Sequence, residues 1–177
     1  MRHLLTIAAA TALVATPAAA DVRAVGPDRF EVAYSVDTAL DPDRLYALLG
    51  QPSRWWSDAH TYSGKAANLR LELKPTGCWC EAMPGGERRE HLVVGIAEPG
   101  RRLLLMGLLG PLKTEAQAGT MIWTITPTGA GSTLAMTYKV VGLNDGRAAV
   151  FAPAVDAVLG EQVQRLQKTA GEIAVRR

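Results

Sequence analysis

Cys78, Cys80 and His91 carry the sulfur and imidazole atoms that suit a soft metal such as zinc or copper, and they lie close together in the chain. A hairpin turn at Pro75-Thr76 would pair Leu73 with Cys78, Leu71 with Cys80 and Leu69 with Ala82. That register puts both cysteines on the inner face with the three leucines, and turns Trp79 and Glu81 outward, Glu81 toward Arg70. The next turn, across Pro84 to Glu87, would bring His91 opposite Cys80. An odd loop length would reverse this second register, and Leu92, Val94 and Ile96 also look like core residues. Two cysteines separated by one residue in a strand are not a metal-ligand spacing, so the three are read as core side chains and no metal is expected. A disulfide is not expected either. Residues i and i+2 of a strand stand about 6.6 Å apart with parallel side chains. The cysteines are therefore expected as free thiols.

His60 and Tyr62 follow the pair Trp55-Trp56 and would offer a proton donor or acceptor at a cavity mouth. In such segments these residues more often anchor a loop. No Ser-His-Asp order, H-E-x-x-H, phosphate loop or spaced carboxylate pair stands out, so no catalytic residue and no cofactor is assigned.

The elements that must position these groups can be read from periodicity. Phe30 to Val36 alternates apolar with small or polar residues and Leu69–Leu73 alternates cleanly; Cys78–Met83, His91–Ile96, Leu103–Leu108, Met121–Ile125 and Leu134–Val140 read as further strands. Turn signals at Pro75-Thr-Gly77, Pro84-Gly-Gly86, Pro99-Gly100 and Thr128 to Gly131 separate them and favour an antiparallel meander. Asp41 caps a helix with Pro42 in its first turn, and Gly50 ends it. From Pro153 the period changes. Val155, Val158, Leu159, Gln162, Leu166, Ala170 and Ile173 recur at helical spacing, while Asp156, Glu161, Arg165 and Lys168 fall largely off the stripe. That helix is about six turns long.

The chain has 177 residues. The first twenty read as a secretory signal: Arg2 and His3, an uncharged run from Leu4 to Ala15, the break at Pro17, and small residues at Ala18 and Ala20. Cleavage after Ala20 would leave one domain, residues 21–177, in the periplasm or outside the cell. Only Arg2 of the 19 Lys and Arg residues is lost with it, so the mature chain is nearly balanced against 17 acidic residues. Nucleic acid is an improbable partner, and no later run suits a membrane span. Oligomeric state is not legible.

One strand, two short helical segments, about six antiparallel strands and a long terminal helix make an α+β helix-grip arrangement of about seven strands. On that order the chain resembles the START-like, or SRPBCC, superfamily, which includes polyketide cyclases. The resemblance also rests on Trp55-Trp56, His60 to Gly64, Gly77 to Glu81, Gly107 to Leu112, Val155 to Leu159, Gln162 and Arg165-Leu166. It covers nearly the whole mature chain and implies a ligand space between sheet and helix. Trp56, His60, Tyr62, Leu71, Leu73, Cys80, His91, Trp123, Met136, Tyr138, Val155 and Leu159 are the expected ligand contacts. With few convergent charges among them, such a wall suits an apolar or aromatic small molecule better than acid–base turnover. The alternative is a cyclase- or dehydratase-like enzyme using the same space. A protein-binding module fits export poorly. A lipocalin lacks its G-x-W strand here.

Overall fold

The computed structural model describes residues 21–144 and 146–176. The expected signal segment lies outside the described residues. Eight strands form one antiparallel sheet: β1 (Asp21–Gly26), β2 (Arg29–Thr38), β3 (Leu69–Leu71), β4 (Cys78–Ala82), β5 (Arg88–Glu98), β6 (Arg102–Met106), β7 (Ala118–Thr128) and β8 (Gly131–Val141). Their spatial order is β1-β2-β8-β7-β6-β5-β4-β3. Between β2 and β3 the chain forms α1 (Pro42–Leu49) and three single turns of 3₁₀ helix. A short α2 (Leu112–Glu115) lies between β6 and β7, and α3 (Ala148–Val175) closes the chain. This is the helix-grip fold. The strand not foreseen is β1, which extends the sheet beyond β2.

Local chemistry accounts for most of these elements. Asp41 accepts from the Arg44 N–H at 3.0 Å and caps α1. Phe30, Val32, Tyr34 and Val36 alternate inward along β2, and Leu134, Met136, Tyr138 and Val140 do so on its neighbour β8. Leu159, Val163, Leu166 and Ala170 of α3 are buried on the same core. Tyr34 ties sheet to helix, donating its hydroxyl to the Asp156 backbone carbonyl at 2.6 Å and to the Asp156 carboxylate. The helix begins five residues before Pro153, which sits inside it. Proline there removes one hydrogen bond, to the Ala149 carbonyl, and both residues face solvent.

The four tryptophans fill the middle of the grip. Trp55 stands 5.6 Å from Trp56, 6.2 Å from Trp79 and 6.1 Å from Trp123, and Trp56 meets Trp79 edge-on at 4.9 Å. Trp55 donates its indole N–H to the Leu48 carbonyl, and Trp56 donates to that of His60. The sheet centre is therefore packed, and open space is pushed to one end.

Both hairpin registers differ from expectation. Leu69 faces Glu81, Arg70 faces Cys80 and Leu71 faces Trp79, a slip of one residue. That slip exchanges the two faces of β4. Trp79 and Glu81 point inward and are buried, and Cys78 and Cys80 lie on the opposite face. Arg70 donates to the Ala67 and Leu69 carbonyls and does not meet Glu81. On the other side Trp79 pairs with Leu92 and Cys80 with Glu90, so His91 is the extra residue of a β-bulge. Adjacent residues His91 and Leu92 are both buried at the bulge. The thiols are also not free: Cys78 and Cys80 form a disulfide. Their Cα atoms are 5.3 Å apart, shorter than the spacing of a fully extended strand and within the range a bridge spans.

Candidate functional site

A cavity of about 390 Å³ opens at one end of the grip. Its walls come from three segments: the loop carrying Trp56 and Ala59 to Tyr62, the connection Leu109 to Leu112, and the first half of α3 with Phe151, Ala154, Val155, Val158 and Leu159. His91 lines it from the sheet. Of the expected contacts, Trp56, His60, Tyr62, His91, Val155 and Leu159 line this space. Leu71, Leu73, Cys80, Trp123, Met136 and Tyr138 do not. Leu73 packs on Gly50, where an added Cβ would lie 2.6 Å from it. Trp123 belongs to the tryptophan cluster, and Met136 is buried beside it in register. Cys80 is on the wrong face of β4. The expected site was drawn over the sheet centre, and the tryptophans occupy that volume.

Each wall is fixed by polar contacts at its edges. The connection after β6 turns at Gly107 and Gly110, both with positive φ. Tyr138 braces it from β8: its hydroxyl donates to the Gly107 carbonyl at 3.2 Å and accepts from the Leu109 N–H at 3.1 Å. A side chain at Gly119 would collide with the Gly107 carbonyl, at 2.3 Å, so glycine is required for this approach. Arg147 latches the connection to the start of α3, pairing with Glu115 at 2.9 Å and lying 5.0 Å over the Phe151 ring. On the opposite wall, Gln162 accepts the Ser57 N–H at 2.7 Å, Arg165 donates to the Trp55 carbonyl at 3.0 Å, and Asp58 accepts the Ala66 N–H at 2.6 Å. His60 meets Glu161 at 3.1 Å on the half-exposed rim.

The buried chemistry is a carboxylate–imidazole pair. Glu81, fully buried, receives the Tyr62 N–H at 3.0 Å, the Ser63 N–H at 2.5 Å and His91 Nε2 at 2.8 Å. Burial alone would raise its pKa. The hydrogen bonds from Ser63, Tyr62 and His91 outweigh that and hold it below the usual glutamate range. Burial pushes the His91 pKa down, against the pull of Glu81, and the charges of Lys113 and Arg89 press the same way as burial. The pair is thus Glu81 carboxylate with neutral His91. A carboxylate has no proton to give, so Nε2 carries the proton and donates. The Tyr62 ring lies 5.1 Å from the imidazole, tilted by 35°, and Arg89 stands 4.5 Å over Tyr62. Chemically this is an oriented imidazole with a lone pair on Nδ1, set in an otherwise apolar wall. It is able to accept a hydrogen bond or a proton.

Glu81 was placed on solvent by the sequence reading, and Leu109, Pro111, Leu112, Phe151, Ala154 and Val158 were not foreseen as wall. One signal was present for Glu81. In the alternative parity Trp79 and Glu81 share a face with Leu69 and Leu71, which puts the larger apolar side chain inside. Pro111 and its neighbours lay in the glycine-bracketed Gly107 to Leu112 segment. Among the described residues no three metal-ligating side chains gather, and no helix is long and apolar enough to cross a membrane.

No family model matches the chain, and no curated protein matches it in sequence. Solved structures do match in shape. A Staphylococcus aureus protein of unknown function aligns with a TM-score of 0.61 at 10% identity, over 85% of this chain and 98% of that one. The di-domain ARO/CYC StfQ from the steffimycin biosynthetic pathway aligns at 0.57 and 16% identity, over 85% of this chain and 52% of StfQ. CalU16 from Micromonospora echinospora aligns at 0.53 and 13% identity, over 85% of this chain and 80% of that chain. Such distant likeness shows the fold alone: a helix-grip protein, here with a cavity at one end.

Proposed function

We propose that this protein is an exported binding protein that holds an apolar or aromatic small molecule in the end cavity. The observation that carries the reading is the cavity itself. Its size falls in the range that small-molecule sites occupy, and its walls are mostly apolar with few polar groups converging on it. The signal-like first twenty residues support export, and the shape likeness to StfQ supports a small-molecule space. Native mass spectrometry of protein purified from its host, followed by extraction, tests it. A co-purifying small molecule, with quenching of Trp56 on rebinding, is the expected result. A ligand that still binds unchanged when Leu159→Trp fills the cavity would refute the location.

A second reading has one observation in its favour. The buried Glu81–His91 pair orients an imidazole as general bases are oriented, which suits cyclase- or dehydratase-like proton transfer. Turnover of a carbonyl substrate that disappears in a folded His91→Phe variant would favour the enzyme over the binding protein.

A further inference from the structure

We propose that the cavity selects an apolar molecule bearing a hydrogen-bond donor, a hydroxyl or N–H, and seats that donor on Nδ1 of His91. This deepens the binding reading and rests on it.

Glu81 collects two backbone N–H groups besides His91, which fixes it as an acceptor. His91 Nε2 must then donate, and a neutral imidazole keeps its one lone pair on Nδ1. No described group meets Nδ1, although the residue is 4% exposed and lines the cavity. The ring cannot turn to find a partner elsewhere. Glu81 holds one edge, Tyr62 covers a face, and the bulge fixes the backbone. Trp79 lies on the sheet side, its ring 6.1 Å from the imidazole, and Trp56, Leu109, Leu112, Val155 and Leu159 line the cavity beside it; neither indole meets Nδ1, that of Trp56 being given to the His60 carbonyl and that of Trp79 making no hydrogen bond. His60 is paired to Glu161 on the rim. A ligand without a donor would bury the Nδ1 lone pair unsatisfied, and a ligand with only an acceptor would oppose it, so discrimination on the order of tenfold or more is expected.

Three probes of one shape read this directly: 2-naphthol, 2-methoxynaphthalene and 2-methylnaphthalene, titrated calorimetrically into the whole mature protein near pH 7.5. The expected order is 2-naphthol tightest by about tenfold or more, with the other two similar. His91→Phe keeps the ring against Tyr62 but removes the acceptor, and should level the three. In Glu81→Gln an amide N–H that takes the place of Oε2 donates to Nε2 and turns the imidazole to its Nδ1–H tautomer, so the preference for 2-naphthol should weaken. Acid gives a variant-free measurement. Protonating His91 removes the acceptor, so the wild-type preference should collapse below the ordinary histidine range. The groups facing His91 in that titration are Glu81 from β4, Tyr62 from the loop, Lys113 from α2 and Arg89 on its own strand. Equal binding of all three probes by wild type overturns the donor rule and leaves the cavity reading standing. A preference that survives in folded His91→Phe, or unchanged in acid, overturns the assignment to His91. No binding of any probe by folded protein overturns both readings.

Discussion

Glu81→Gln tests whether one buried carboxylate holds the cavity wall. The side chain sits with no exposure, taking Tyr62 N–H and His91 on Oε2 and Ser63 N–H on Oε1. A glutamine has the same shape but one accepting oxygen. If that oxygen replaces Oε2, the amide N–H groups oppose the Ser63 N–H. If it replaces Oε1, they oppose the Tyr62 N–H, and His91 must change tautomer. Either way one buried backbone donor loses its partner, at about 1–3 kcal/mol, and the surviving bonds lose their charge assistance, about 1 kcal/mol more. The expected loss is therefore about 2–4 kcal/mol. With a urea m-value of about 2 kcal/mol/M, the midpoint should fall by roughly 1–2 M at pH 7, read by tryptophan fluorescence. The exposed Glu72→Gln serves as the control. The wild type should also weaken in acid. Below pH 6.5 the unfolded chain protonates His91 while the folded one, with its depressed pKa, resists, so stability falls as pH drops toward the folded value. Glu81, also depressed, extends that loss below its ordinary 4.5. The variant lacks the glutamate part of this slope. A midpoint shift no larger than that of Glu72→Gln, or wild-type stability flat from pH 7 to 4, would refute the pairing.

Leu159→Ala removes a fully buried side chain where the long helix meets both core and cavity, and should cost about 2–5 kcal/mol in urea melts, while the exposed Lys168→Ala should cost under about 0.5. Equal effects would place the wrong face of α3 inward. Denaturing alkylation should label Cys78 and Cys80 only after reduction, with the untreated mass two hydrogens lighter, and labelling without reductant would contradict the bridge. Exported protein should begin at Asp21 on N-terminal sequencing, and a mature chain retaining Leu4 to Ala15 would end the export proposal.

Much of the fold was legible because it depends on local periods. Alternation along Phe30 to Val36 and Leu134 to Val140 matched β2 and β8, since a strand repeats every two residues whatever it packs against. Asp41, Pro42 and Gly50 marked α1 because capping is decided within one turn. The start of α3 was misplaced because Pro153 was read as a first-turn residue, and the five residues before it join the helix on account of tertiary packing by Ala148 and Ala152.

What the sequence determined by itself was therefore the order and kind of elements, and through them the helix-grip class; of the expected contacts Trp56, His60, Tyr62, Val155 and Leu159 line the cavity, and His91 does so through a bulge and not through the register expected for it. What only the tertiary structure decided was register and volume. A single bulge at His91 and a one-residue slip between β3 and β4 exchanged Glu81 for Cys80 on the inner face, and periodicity is blind to a change of one residue in a loop. Likewise, four tryptophans scattered along the chain converge to fill the sheet centre, which leaves the cavity at the end of the grip. Close packing is a property of side chains far apart in sequence, so where space remains is settled only when they meet.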